Sequence, residues 1–187
     1  WHRVANCSTA RPPDGDDLAR LLRQFHELPP PPAALPQWAP FTPIRQRIEA
    51  DNGVLSTDER NFLRFRCDEI SSLLDTFAPS LPVGPIHGDG FIGNLIPNAT
   101  GPVLCDFDSV AHGPREWDLT PVAVGHLRFA YPADYHRQVA ETYGIDILHL
   151  PQFAGTPSTT GSIAFESRSG GHPRLWVVNA DADSVSV

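Results

Sequence analysis

Three polar residues define the chemistry this chain can attempt. Asn94 follows Asp89 by five residues, and Asp106 follows Asn94 by twelve. The first acid stands in His87-Gly88-Asp89-Gly90; the last opens Asp106-Phe107-Asp108, at the end of an apolar run. Between them, Asn94-Leu95-Ile96 reads as a short strand, residues 97–101 as a turn, and Pro102-Val103-Leu104-Cys105 as the return strand. Such a hairpin puts Asn94 at the start of one strand and Asp106 at the end of its partner. In an antiparallel pair those two ends are neighbours. Two oxygen donors then converge from one hairpin. Magnesium takes one or two protein oxygens and fills its shell with water and phosphate oxygens, so the pattern suits a magnesium–phosphate site.

The flanking sequence supplies helices to carry that hairpin. Asp14 or Asp16 can cap a helix bearing Leu18, Leu21, Leu22, Phe25 and Leu28, which repeat at helical spacing. Four prolines at 29–32 stop it, and a proline-rich connector runs to Pro43. Ser56-Thr57-Asp58-Glu59 is a capping box. It opens a helix with Phe62, Phe65, Ile70, Leu73, Leu74 and Phe77 along one side, ending before Pro79. Asp118-Leu119-Thr120-Pro121 opens another helix with Pro in its first turn, and Pro132-Ala133-Asp134 opens one that closes at Gly144. Beyond about residue 150 the periodicity fails, and residues 151–187 read as a divergent, irregular tail whose one strong apolar run is Leu175-Trp176-Val177-Val178.

Composition removes several function classes. At 187 residues, 41% apolar and 19% charged, the chain suits a single globular domain with a real core. A formal charge of −8 argues against nucleic acid and anionic membranes as partners, and suits a cationic small molecule. No apolar run approaches the roughly 20 residues of a membrane span. The three cysteines, Cys7, Cys67 and Cys105, are odd in number and far apart, which fits reduced thiols and a cytoplasmic location. The eight histidines show no zinc-ligand spacing, and no nucleophile-elbow or Walker A pattern occurs.

All fourteen basic residues other than histidine are arginine; the chain has no lysine and no methionine, and it opens on Trp1. Both absences lead to the expectation of a fragment whose natural N-terminus is missing.

With these residues in view, His87-Gly88-Asp89-x-x-x-x-Asn94 resembles the catalytic loop of kinase-like phosphotransferases. Residues from about 16 to 147 look like the C-terminal lobe of the aminoglycoside phosphotransferase family. Four blocks carry the resemblance: residues 21–29 with their His26 before prolines, the His-Gly-Asp loop with Asn94, Asp106-Phe107-Asp108, and residues 113–119 ending in Asp118-Leu119. The resemblance implies an α+β fold, mostly helical, with a small β-hairpin at the active site. It implies ATP and Mg2+ as cofactors and a hydroxylated, cationic or sugar-like small molecule as substrate. Asp89 would be the catalytic aspartate that holds the substrate hydroxyl and accepts its proton, and Asn94 and Asp106 would hold the metal and nucleotide. Asp108 would either touch a second magnesium or cap the next segment. Asp118 would brace the loop through backbone N–H groups, and His87 would be a packed residue.

The expected organisation is a hinge remnant and loop over 1–15, a kinase-like C-lobe over 16–150 and the divergent tail. The N-terminal lobe with its lysine is expected to be absent. A choline, homoserine or sugar kinase is the alternative within the superfamily; a non-catalytic remnant or binding module is the alternative outside it.

Overall fold

The computed structural model describes residues 11–50, 55–76, 78–129 and 131–150, together with the backbone of 162–166 and 174–178. The expected hinge remnant at Trp1-His2-Arg3-Val4 lies outside the described residues. The elements run α1 (Gly15–His26), α2 (Phe41–Glu49), α3 (Thr57–Asp75), β1 (Val83–Ile86), β2 (Leu95–Ile96), β3 (Val103–Leu104), β4 (Ala111–Pro114), α4 (Thr120–Arg128), α5 (Ala133–Tyr143), β5 (Ser162–Glu166) and β6 (Arg174–Val178). The chain is therefore α+β with small antiparallel sheets, as the sequence predicts. No described helix is long and apolar enough to cross a membrane.

The elements fall into two units, one of residues 38–78 and one of the rest. In the larger unit, α1 begins where Asp14 caps it. The Asp14 carboxylate accepts from Asp17 N at 3.1 Å and the Asp17 carboxylate accepts from Asp14 N at 3.3 Å, which satisfies two otherwise orphaned amides reciprocally. The helix buries Leu18, Ala19, Leu22 and His26. Leu28, predicted on the same stripe, lies beyond the helix and is 54% exposed. Pro29 is the cause, because a residue before proline is driven out of the helical region. Leu18, Ala19 and Leu22 pack with Leu95, Leu104, Leu119, Val122, Ala123, Val139 and Ile147 in one core. That core draws on α1, the β2–β3 hairpin, α4 and α5, so burial of apolar surface fixes the hairpin against three helices.

The smaller unit holds a helix the sequence reading missed. α2 begins inside the predicted connector, with Pro43 in its first turn, where proline's missing N–H has no intrahelical partner to lose. Ile44 and Ile48 of α2 are buried, as are Leu63 and Cys67 of α3. The capping box at α3 is present: Ser56 N donates to Glu59 Oε2 at 2.8 Å and Glu59 N to Ser56 Oγ at 3.3 Å. Its buried stripe differs from the prediction. Phe62 and Phe65 are 45% and 64% exposed. The 4-3-4 spacing of Leu63, Cys67, Ile70 and Leu74 is the one that faces inward.

Ser162–Glu166 and Arg174–Val178 pair as antiparallel strands, where the sequence reading expects irregular chain. Ile163, Phe165, Trp176, Val177 and Val178 are β-branched or aromatic types that favour a pleated strand.

Candidate active site

β1 delivers the loop that begins at His87. It pairs antiparallel with β4, Ile86 opposite Ala111 and Val83 opposite Pro114. The entry to β1 is tied down by Glu116, 1% exposed, whose Oε1 accepts from Ser80 N at 2.6 Å and Leu81 N at 2.7 Å. Past Ile86 the chain leaves the strand, and its backbone amides lose their strand partners. Asp118 replaces them. Its fully buried carboxylate accepts from His87 N at 2.6 Å and from Gly88 N at 2.7 Å. Trp117 Nε1 donates to the Gly88 carbonyl at 3.2 Å. Two adjacent residues of one turn thus hold both the donor and acceptor sides of the loop. Charge-assisted bonds of this kind are short and strong, and the predicted bracing role of Asp118 is observed.

The glycines in the loop answer to this close approach. Gly88 has φ +84°, and a Cβ there would stand 2.1 Å from the Ser109 carbonyl oxygen. A Cβ at Gly90 would stand 2.1 Å from the Asp118 carbonyl oxygen. His87 is fully buried, as expected of a packed residue. Its Nε2 lies 2.9 Å from the Cys105 carbonyl, and its ring meets Phe107 at 5.0 Å and Phe25 at 6.2 Å between centroids. An imidazole locked this way is a wedge between the loop and the hairpin.

Asp89 emerges from that frame 8% exposed. Its Oδ2 accepts from Asn94 Nδ2 at 2.9 Å, and the same Nδ2 donates to the Asp89 carbonyl at 3.0 Å. Burial raises the Asp89 pKa above the usual carboxylate range, with the negative charges of Asp106 and Asp118 adding to the effect; the Asn94 bond and His87 oppose it.

The hairpin forms in the predicted register. Leu95 pairs with Leu104 and Ile96 with Val103, and Cys105 N donates to the Asn94 carbonyl at 2.9 Å. Asn94, predicted as the first residue of the strand, closes a short 3-10 turn, Ile92–Asn94, one residue before β2 begins. Asp106 follows at φ 64°, ψ 62°; among the described residues it is the one non-glycine with positive φ. A left-handed conformation costs about 1–3 kcal/mol and persists where surroundings enforce it, often at functional sites. The bend sends the chain into a second 3-10 turn, Phe107–Ser109. There Asp108 is exposed, and none of the described bonds ties it to Asp89, Asn94 or Asp106.

The structure therefore bonds Asn94 to Asp89, carries Asp106 one residue past the Cys105 amide that pairs with Asn94, and leaves Asp108 exposed. Among the described residues no three acid, imidazole or thiol groups cluster as a metal cage. The donor set still fits magnesium. The Asn94 amino group is spent on Asp89, which leaves Oδ1 as its uncommitted acceptor; Asp106, next after Cys105, adds a carboxylate, and magnesium takes few protein oxygens, all of them hard.

Sequence reasoning assigned no role to two residues behind this frame. His26, 1% exposed, brings Nε2 to 2.8 Å from Asp118 Oδ2, and its Nδ1 lies 2.8 Å from the Tyr143 hydroxyl. Arg115 donates to the His26 carbonyl. A histidine in the last turn of an amphipathic helix, on the face that carries Leu18 and Leu22, was the available signal for His26. No local pattern marks Tyr143, which is 117 residues away from His26.

A family model described as "Phosphotransferase enzyme family" matches residues 7–155. No curated protein and no solved structure matches the chain.

Proposed function

The chain belongs to the phosphotransferase enzyme family, and we propose that it serves ATP- and magnesium-dependent transfer of the γ-phosphoryl group to a hydroxyl of a small molecule. The observation that carries this reading is the buried Asp89. One of its oxygens is bonded to Asn94 at 2.9 Å and the other is uncommitted, and Asp106, held in a left-handed bend, is near enough for its charge to act on Asp89.

In this reading Asp89 Oδ1 receives the substrate hydroxyl and takes its proton as the oxygen joins the γ-phosphorus; the bond from that phosphorus to the ADP oxygen breaks. A carboxylate whose pKa burial has raised is a stronger proton acceptor than an exposed one. Asn94 orients the carboxylate by holding Oδ2, so that much of the catalysis is positioning. Asn94 Oδ1 and the Asp106 carboxylate would hold magnesium. Magnesium held there would supply positive charge against the negative phosphate oxygens. The substrate is a hydroxylated cationic or sugar-like molecule, for which the chain's charge of −8 and the carboxylates of Asp89, Asp106 and Asp108 offer attraction. Aminoglycosides combine both properties. Choline, homoserine and plain sugars are the other members of that class to assay.

The test is a titration of magnesium and ATP into the 15N-labelled chain. Amides of Asn94, Cys105 and Asp106 should shift, and shift less without magnesium. Perturbation confined to other regions would remove the site. A panel of hydroxylated amines and sugars then identifies the substrate class by further shifts around Asp89.

A further inference from the structure

We propose that Tyr143, the last residue of α5, is a positioning residue for the loop at 87–89, acting through His26 and Asp118. The inference rests on the reading of that loop as catalytic, and it adds a residue from a helix that supplies none of the site's own side chains.

The chain of contacts is continuous, half-buried at Tyr143 and buried from His26 inward. The Tyr143 hydroxyl lies 2.8 Å from His26 Nδ1, and His26 Nε2 lies 2.8 Å from Asp118 Oδ2. Asp118 then holds His87 N and Gly88 N. His26 is 1% exposed and Asp118 is fully buried, so with Tyr143 in place each depends on its protein partners. The neutral imidazole protonated at Nε2 satisfies every atom. Asp118 is a carboxylate and only accepts, so His26 Nε2 carries hydrogen and donates. Nδ1 of the same neutral ring is then an acceptor, and the Tyr143 hydroxyl donates to it. Burial pushes the Tyr143 pKa up to about 12, which keeps that hydroxyl protonated across the neutral range.

The second bond does what the first cannot. A single bond at Nε2 fixes one end of an imidazole and leaves the ring free to rock about it. A bond at each nitrogen fixes position and rotation together, the way a histidine's outer partner sets its orientation toward a metal. The Asp118 Oδ2 atom accepts from His87 N as well as from His26, so a rocking ring competes with the loop for the same oxygen. The two rings meet edge to face at 5.8 Å between centroids, which leaves little room for a different arrangement.

α5 is itself seated on α1, the helix that carries His26. Gly15 N donates to Gln138 Oε1 at 3.1 Å, and Thr142 donates to Asp16. A Cβ at Gly15 would stand 2.7 Å from the Tyr135 carbonyl oxygen, so the two backbones approach closely. The position of Tyr143 is therefore set by packing that does not involve the loop.

The experiment is 15N NMR on the full chain. In the wild type, the imidazole spectrum must show His26 protonated at Nε2, with Nδ1 as a hydrogen-bonded acceptor. A ring protonated at Nδ1 overturns the proposal without any variant, which covers the case in which a substitution prevents folding. In Tyr143→Phe, which removes only the hydroxyl, amide exchange at His87 and Gly88 should quicken by about ten- to a hundredfold, the loss expected when a buried acceptor goes unsatisfied. Exchange at Leu22 and Val122 should stay as in the wild type. Thr142→Val, which removes an exposed α5–α1 bond, should leave His87 and Gly88 unchanged. Unchanged exchange at those two amides in Tyr143→Phe refutes the positioning role. Equal acceleration throughout the core also refutes it, since Tyr143 would then be a general packing residue. The readout does not involve nucleotide or turnover, so a negative result here leaves the magnesium–ATP test standing.

Discussion

Gly90→Ala should destabilise the chain far more than the same change at Gly84, and the structure gives the size of the difference. A Cβ on Gly90 would lie 2.1 Å from the Asp118 carbonyl oxygen, 2.8 Å from its carbon and 3.0 Å from its Cα. Comfortable carbon–oxygen approaches begin near about 3.3 Å, so loop and turn must part by about 1 Å. All three obstructing atoms are backbone, and no rotamer relieves them. The same Asp118 backbone carries the carboxylate that holds His87 N and Gly88 N at 2.6 and 2.7 Å. Parting by about 1 Å takes both beyond hydrogen-bonding range. Two buried amides left unsatisfied cost about 1–3 kcal/mol each, and the overpacking itself about 1–3 kcal/mol. Partial relaxation trades one loss against the other, so the expected total is about 3–6 kcal/mol, against a whole stability of about 5–15 kcal/mol. At Gly84 a Cβ meets only the Arg115 guanidinium, at 3.3 Å. That group is held by its bond to the His26 carbonyl, but it need give only a small fraction of an ångström, and Gly84→Ala should stay within about 1 kcal/mol of the wild type. Urea unfolding followed by tryptophan fluorescence measures both, since Trp117 donates to the Gly88 carbonyl of the loop. If Gly90→Ala costs less than about 1 kcal/mol, or no more than Gly84→Ala, the loop is not braced in the way described.

Three further outcomes are expected. Asp89 keeps a proton in the folded chain at pH values just above 3.8, where the unfolded chain has lost it, so the stability it contributes falls as pH rises through the raised folded value; Asp89→Asn should remove that fall, and stability measured from acid to neutral pH should gain on the wild type as pH rises, a parallel pair of curves being the contrary result. Asp106→Gly relieves the left-handed bend, so it should hold or raise stability by up to about 1 kcal/mol, while calorimetry should show magnesium–ATP affinity lowered by at least about tenfold through loss of a charged ligand; undiminished affinity would take Asp106 out of the site. These 187 residues contain no lysine to neutralise the α and β phosphates, so an ATP-consumption assay of the chain by itself with magnesium and aminoglycosides should show little turnover, and brisk turnover abolished by Asp89→Asn would mean that arginine or another group grips the triphosphate.

The sequence alone determined whatever depends on near neighbours. The Asp14 cap, the Ser56–Glu59 box and the stop before Pro29 are local competitions for backbone amides, settled within four residues or so. The β2–β3 hairpin is also local, and its pairing sets the Asn94 backbone against Cys105, the residue before Asp106, without any distant contact. Local pattern failed where two candidates competed for one face. On α3, Phe62 and Phe65 are larger than Leu63 and Cys67, yet the stripe that faces inward is set by what lies opposite it, which no helix states by itself. α2 was hidden because proline in a first turn resembles proline in a connector. Tertiary structure decided the rest of the site. Asp118 braces a loop 30 residues earlier in the chain, His26 reaches it from α1, and Tyr143 reaches His26 from α5. Each bond forms because burial strips water from a polar group and leaves one partner within reach. That condition belongs to the packed core and has no signature in the spacing of residues along the chain.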